Sequence, residues 1–231
     1  MISMNFGLNI LLMRVRGLKA RSLVHIFWIW IQLSPTMLGL GAESWRFSAD
    51  EVKKTDREDE SSTVLSGNAY AESDTMRISA RRLELSGKDH EYISGSEKIA
   101  FIDTEREVKV NSEHLEYNRV TEIIGFRKRV TLVDEKNGVV IHCESLDFRQ
   151  EEDLIIMQIL VRLIKDDTVC RGEFATFWVE EDILEVSGHP VIWRGDDVYR
   201  ADRIRINLET DEIELEGAVE GTLIVTEDEE E

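Results

Sequence analysis

A pattern of small and apolar residues recurs five times along this chain at intervals of 29 to 32 residues. The small residue that marks each copy is Ala80, Ser112, Cys143, Gly172 or Ala201. Two positions before it stand Ile78, Val110, Ile141, Cys170 and Tyr199, and a polar residue precedes it directly in every copy. A fixed period held over five copies indicates a repeat architecture rather than an irregular globular fold.

Within each copy the apolar residues alternate with polar ones. Three and five positions after the small residue come the pairs Leu83 and Leu85, Leu115 and Tyr117, Leu146 and Phe148, Ala175 and Phe177, and Ile204 and Ile206. Alternation of this kind is typical of a strand with one buried face, and turn signals such as Asn137-Gly138 separate the runs. Each copy is therefore predicted to consist of two consecutive antiparallel strands.

The alternation changes phase once per copy, just after the small residue. Glycines in the returning strands (Gly95, Gly125, Gly188 and Gly217) indicate bends as well, since glycine inside a strand marks a bulge. Strands bent at matched places fold over into two facing walls with apolar side chains between them. The predicted fold is all-β, a jelly roll or flattened β-solenoid of about five two-strand repeats over residues 76–226.

The third copy departs from this rule. Its returning strand, around Ile156, lies in the unbroken apolar run LIIMQILVRLI. Such a run is expected either to be buried on both faces or to be covered by another chain or segment.

The segments outside the repeat are predicted from composition. Residues 1–42 have no acidic residue, four basic ones, an apolar run from Leu23 to Leu33 and small residues at their end. This describes a secretory signal peptide, with an uncleaved N-terminal membrane anchor as the alternative, and both export the chain. Residues 43–75 are predicted to be a flexible charged linker, and 227–231 a solvated acidic tail.

The charge of the chain excludes one class of partner. The formal net charge is −19, and it becomes −23 without the four basic residues of 1–42. A chain this acidic is expected to repel nucleic-acid phosphates and anionic lipid surfaces, so we expect no nucleic-acid binding.

No residue pattern indicates catalysis. The five histidines are scattered, and acidic pairs such as Asp196-Asp197 stand in turns, where solvated carboxylates are ordinary. We expect no enzyme, no cofactor and no metal site, because nucleophile, phosphate-loop and zinc signatures are missing from the sequence. Cys143 and Cys170 are either two buried thiols or a disulfide, which an exported compartment allows.

The repeat resembles the OstA-like N-terminal domain family, the LptA/LptC-type lipopolysaccharide transport proteins of the periplasm. The resemblance rests on Val110-x-Ser112-x-x-Leu115-x-Tyr117 with Gly125, and on the matching run from Tyr199 to Gly217. It implies a periplasmic bridge or chaperone that carries lipopolysaccharide or a related glycolipid between the inner and outer membranes through an apolar groove. It also implies head-to-tail edge-strand pairing with other jelly-roll proteins of this type or with further copies of the chain.

The groove interior predicted on this basis consists of Ile78, Ala80, Leu83, Leu85, Phe101, Val110, Leu115, Tyr117, Ile141, Leu146, Phe148, Phe177, Tyr199, Ile204 and Ile206. The same alternation also suits a dry core, since any sandwich of sheets needs apolar inner faces. The alternative function is therefore a periplasmic β-solenoid scaffold with a sealed core, which binds protein partners by edge-strand addition.

Overall fold

The computed structural model describes residues 44–57 and 60–223. The predicted signal peptide or anchor at 1–42 and the predicted tail at 227–231 lie outside these residues. The described residues all belong to one compact unit. In its described part every strand belongs to one antiparallel sheet, and the predicted all-β jelly roll is confirmed.

The sheet has 16 strands. They are β1 (Arg46–Ser48), β2 (Glu51–Arg57), β3 (Glu60–Glu72), β4 (Met76–Ser86), β5 (Tyr92–Asp103), β6 (Val108–Asn118), β7 (Ile123–Asp134), β8 (Val139–Arg149), β9 (Leu154–Lys165), β10 (Thr168–Trp178), β11 (Ile183–Ser187), β12 (Val191–Arg194), β13 (Asp197–Arg200), β14 (Arg203–Asn207), β15 (Ile213–Glu216) and β16 (Glu220–Thr222). Two single 3₁₀ turns, Lys88–His90 and Gln150–Glu152, join neighbouring strands.

Each long strand bends near its middle. The hydrogen-bond register shifts between Ser79 and Arg82 in β4, and again at corresponding places from β3 to β10. Beyond β10 the bend becomes a break, so that the short pairs β11 and β12, β13 and β14, and β15 and β16 each take the place of one bent strand. A bulge inserts residues that have no partner and turns the strand sharply.

The bends divide the sheet into two facing walls. The first wall contains β2, β11, β14, β15 and one half of each long strand (for example 114–118 of β6 and 123–127 of β7). The second wall contains β1, β12, β13, β16 and the other halves (108–111 and 130–134). We call the side where strands bend the ridge, and the opposite side, where both walls end in turns, the mouth.

The core fills the space between the walls. Phe101 of the second wall and Phe126 of the first lie with ring centroids 5.4 Å apart at an interplanar angle of 61°. Both rings are at most 1% exposed. Buried apolar residues form one continuous cluster from Leu65 to Leu208, so the interior runs the length of the sheet.

The small residues of the repeat lie on the ridge. Ala80, Ser112, Cys143, Gly172 and Ala201 stand where one strand turns into the other wall, which explains both their size and the change of phase after them. Gly188 and Gly217 lie there too, with φ of 77° and 92°. The prediction of bends at Gly95 and Gly125 is wrong, because both are paired in regular register with Leu83 and Glu116.

The predicted flexible linker at 43–75 is also wrong for its described part. β3 pairs with β4 along nearly its whole length, and β1 and β2 pair with β3. Leu65, Ala69 and Ala71 point into the core and are at most 1% exposed. Small apolar residues are sufficient to form a strand here, because a strand near the edge of the sheet needs backbone pairing and only a modest apolar face. The weak alternation of this segment supplies that face.

Candidate functional site

The predicted groove residues are brought together in the interior. Fourteen of the fifteen are buried, and the fifteenth, Tyr199, is half-buried and packs against the same cluster. The structure adds residues that were not on the predicted lining, chiefly Ile124, Phe126, Ile155 and Met157, each at 0% exposure. These belong to returning strands, whose alternation in the sequence is less regular.

The third copy has one buried face and one outer face. Ile155 and Met157 point inward, while Ile156 lies half-buried on the outer face. Of the two alternatives expected for this run, burial on both faces is wrong, because β9 has the same inward and outward alternation as its neighbours. Cover by another chain or segment stays a prediction.

Ion pairs join the two walls across the mouth. Arg106, in the turn after β5, donates from Nε to Asp153 at 2.6 Å, and its Nη2 donates to the carbonyl of Gln150 at 3.3 Å. Its Nη1 also reaches Asp103 in the same turn at 3.2 Å, a carboxylate whose side chain is fully buried. Burial lowers the pKa of the Arg106 guanidinium, but the hydrogen bonds and negative charge of Asp153 and Asp103 outweigh it, and the net shift is upward.

A second pair lies one repeat further along. Lys136 Nζ donates to Asp182 at 2.7 Å, and Asn137 Nδ2 donates to the other oxygen of that carboxylate at 2.7 Å. Burial raises the pKa of Asp182, but these two donors outweigh it and hold the pKa below its usual value. The hydrogen bond to Asp182 correspondingly raises the pKa of Lys136.

A third pair follows in the next repeat. Lys165 Nζ lies 2.5 Å from both Asp211 Oδ1 and the carbonyl oxygen of Leu208. The hydrogen bond from Lys165 lowers the pKa of Asp211. We call Arg106–Asp153, Lys136–Asp182 and Lys165–Asp211 the cross-wall pairs.

Two contacts continue this series toward the N-terminal end of the sheet. Gln150 Nε2 lies 2.9 Å from the sulfur of Met76, and the Arg119 guanidinium lies 5.5 Å from the centroid of the Trp45 ring. Among the described residues, the hydrogen bonds that cross the mouth all involve a side chain, whereas strands within a wall are joined by backbone ladders. The mouth is therefore the side at which the walls can separate without breaking the sheet.

Sequence reasoning did not find the cross-wall pairs. The cations alone carried a signal, since Arg106, Lys136 and Lys165 stand at intervals of 30 and 29 residues in the turns between copies. Their partners lie 46 or 47 residues away, in the turns at the other end of a later strand. That separation is about one and a half repeats. Aligning the copies with one another therefore does not place a cation and its carboxylate partner at corresponding positions.

Cys143 and Cys170 are free and buried. Both point inward, but β9 lies between their strands, because β8 and β10 each pair with it. Two strand spacings are roughly 9.6 Å, beyond the reach of a disulfide. Burial raises the pKa of each thiol to about 12.

Other chemistry is sparse in the described part of the chain. It contains no group of three or more His, Cys, Asp and Glu side chains placed to hold a metal ion. Nor does any helix within residues 44–57 and 60–223 have the length and apolarity to cross a membrane.

Comparison with known proteins gives one kind of match. No model of a known protein family and no curated protein matches the chain. Among solved structures, the chain is similar to LptH of Pseudomonas aeruginosa, described as the LptA homologous periplasmic component of the lipopolysaccharide transport device. The two are 8% identical with a TM-score of 0.24, over 79% of this chain and 96% of the other.

Proposed function

We propose that this chain is an exported, periplasmic lipid-binding bridge or chaperone that holds acyl chains of lipopolysaccharide or a related glycolipid between its two walls. The interior supports this most directly. It is apolar along the whole sheet, and its contact with a ligand is non-directional, which suits acyl chains of varied length.

The mouth supplies the way in. Separating the two walls at the mouth breaks the three cross-wall pairs, the Gln150–Met76 and Arg119–Trp45 contacts and core contacts such as that of Phe101 with Phe126. It leaves every backbone ladder intact. The cations of these pairs lie where the phosphates of a glycolipid headgroup would stand when its acyl chains are inside. Arginine and lysine then exchange a carboxylate for a phosphate, which is also a strong acceptor.

The two edges of the sheet support the bridging part of the proposal. One edge is formed by β1 and β2 and the other by β15 and β16. Among the described side chains, the first edge carries three cations, Arg46 (paired with Glu72), Lys53 and Lys54, and one acid, Glu51, whereas the last carries only acids, Glu214, Glu216 and Glu220. Opposite charge favours head-to-tail strand addition over pairing of like edges.

Photo-crosslinking from inside and outside the walls tests lipid binding. A benzophenone side chain replaces Leu115 or Ile204, which face inward, and matched controls replace their exposed neighbours Glu116 and Arg205. With purified lipopolysaccharide as the probe, we expect adducts at 115 and 204 and none at 116 and 205. Displacement of a fluorescent fatty acid from the unmodified chain provides a second measurement that requires no core substitution.

The density of the core favours a second candidate, the sealed scaffold. Phe101, Phe126, Phe148 and Phe177 are each at most 1% exposed and fill the space between the walls. A scaffold of this kind gives no adduct at any of the four positions and displaces no fatty acid. The scaffold still assembles by its edges, and light scattering measures this assembly. The double variant Glu214→Lys with Glu216→Lys should prevent it.

A further inference from the structure

The ridge carries a pair of residues with positive φ at regular intervals. The pairs are Gly67-Asn68, Glu97-Lys98, Lys128-Arg129, Ile159-Leu160 and Gly188-His189. Every pair except one consists of glycine or polar residues, which suits an exposed bend in the left-handed region. Ile159-Leu160 is the exception.

Folding does not account for this exception. Ile159 has φ of 67° and Leu160 φ of 56°, and a β-branched residue is an outlier in that region. Their side chains are 51% and 69% exposed, so the strain is not offset by burial in the core. Strain of this kind, kept without a packing gain, is characteristic of functional positions.

The surroundings form an amphipathic patch. Phe174, opposite the neighbouring Gln158, adds a third large apolar side chain that is 52% exposed. Next to it, Leu160, Arg162 and Arg171 line a surface cavity of about 360 Å³. We call Ile159, Leu160, Phe174, Arg162 and Arg171 the ridge patch.

The two arginines are placed at an electrostatic cost. Arg162 and Arg171 are directly opposite each other on β9 and β10, and His142 is opposite Arg162 on the other side. Like charges opposite each other destabilise a sheet. In the described part of the chain neither guanidinium has a carboxylate partner, and Arg171 has only the Trp193 ring, 5.3 Å away. Glu173 borders the cavity, and the Arg129 backbone N–H donates to Glu144 at the adjoining bend.

From this arrangement we infer that the ridge patch docks onto the surface of an anionic phospholipid membrane. The arginines contact lipid phosphates, and Ile159, Leu160 and Phe174 enter the boundary between headgroups and acyl chains. An acidic peptide fits less well, because the backbones of β9 and β10 are paired on both sides and offer a peptide no strand to join. The net charge of −19 opposes approach to an anionic surface, but this repulsion is reduced because charges more than about 8 Å apart are largely screened at physiological salt.

A fluorescent probe on the ridge tests this inference in the full chain. Leu160→Cys introduces an exposed thiol, which reacts selectively because Cys143 and Cys170 are buried with pKa values of about 12. The thiol is labelled with a polarity-sensitive dye, and Lys98→Cys places the same dye at the polar bend of β5 as a matched control. Vesicles contain either phosphatidylcholine alone or phosphatidylcholine with 30% phosphatidylglycerol.

We expect the dye at 160 to gain several-fold in emission with phosphatidylglycerol vesicles, and the dye at 98 to stay unchanged. Adding Arg162→Gln and Arg171→Gln should remove most of that gain, and so should 0.5 M salt. Any effect of residues 1–42 on vesicle binding is common to all these variants. Three results would overturn the inference. In the first two, the dye at 160 gains equally with neutral vesicles or does not change at all. In the third, a gain that follows from a higher protein concentration alone would indicate binding to a second copy of the chain. None of these results depends on whether the interior holds lipid.

Discussion

Lys136 Nζ lies 2.7 Å from Asp182 Oδ2, across the mouth between the two walls. The residues are 46 positions apart, as are Lys165 and Asp211, while Arg106 and Asp153 are 47 apart. The spacing repeats because each pair joins a turn at the end of the second wall to a turn at the end of the first. The repeat that builds the strands therefore also builds a row of ion pairs that closes the apolar interior.

Asp182→Asn should weaken this closure measurably. The Asp182 side chain is 7% exposed and accepts from both Lys136 and Asn137. An amide at this position leaves Lys136 without its charged partner, and we expect a loss of about 1–3 kcal/mol in the free energy of unfolding. Urea denaturation followed by circular dichroism measures it.

The matched control is Glu181→Gln, which removes the same charge from the exposed neighbouring position. We expect a change within about 0.5 kcal/mol. If both variants unfold alike, the effect comes from net charge and the Lys136–Asp182 pair contributes nothing of its own.

The mouth should open in acid. The pKa values of Asp182 and Asp211 are lowered in the folded chain, so the stability they contribute is present above their unfolded pKa of about 3.9 and is lost as the pH falls through the folded values. The pKa of Lys136 is raised, so its contribution is present below about 10.4 and is lost only above that. Binding of a dye that reports exposed apolar surface should rise below about pH 4 and stay low from pH 5 to pH 9.

Asp182→Asn combined with Asp211→Asn tests whether these carboxylates are responsible. The double variant should bind the dye already at pH 6 and show a smaller further increase in acid. An unchanged acid transition would assign it to other carboxylates, of which Asp103 and Asp153 are the nearest alternatives at the mouth.

The strain at Ile159 predicts a stabilising substitution. Asparagine tolerates the left-handed region far better than a β-branched residue, and Ile159 is 51% exposed with φ of 67°. We expect Ile159→Asn to raise the free energy of unfolding by about 1 kcal/mol, since the left-handed conformation costs roughly 1–2 kcal/mol per residue. The reverse change, Lys128→Ile at φ of 63°, should lower it by a similar amount. Thermal unfolding of both variants measures these changes. If Ile159→Asn lowers the stability, the packing of the exposed isoleucine outweighs its backbone strain.

The inward face was predictable from the sequence, because a strand with one face in solvent and one in the core alternates polar and apolar residues. Ile78, Leu115 and Ile204 were placed correctly on that basis. The bends were harder, since the pairs that make them range from Gly67-Asn68 to Ile159-Leu160 and share a backbone conformation, not a residue type. The cross-wall pairs were missed because they depend on how far the walls fold over, which no single copy encodes. Strand β3 was missed because Ala69 and Ala71 bury little apolar surface each, although the edge of the sheet depends on them.

The two thiols report on whether the walls separate. Cys143 is 5% exposed and Cys170 is 1% exposed, and burial raises both pKa values to about 12, so the reactive thiolate is scarce at neutral pH. We expect a thiol reagent at pH 8 to modify the folded chain slowly at both sites and the urea-unfolded chain at once. Cys143 lies on the ridge and Cys170 lies inside the second wall near its turns, so opening at the mouth should expose Cys170 first. Mass spectrometry of Asp182→Asn with Asp211→Asn should therefore show faster modification of Cys170 with little change at Cys143. Equal acceleration at both would mean that the chain unfolds as a whole and that the mouth does not open separately.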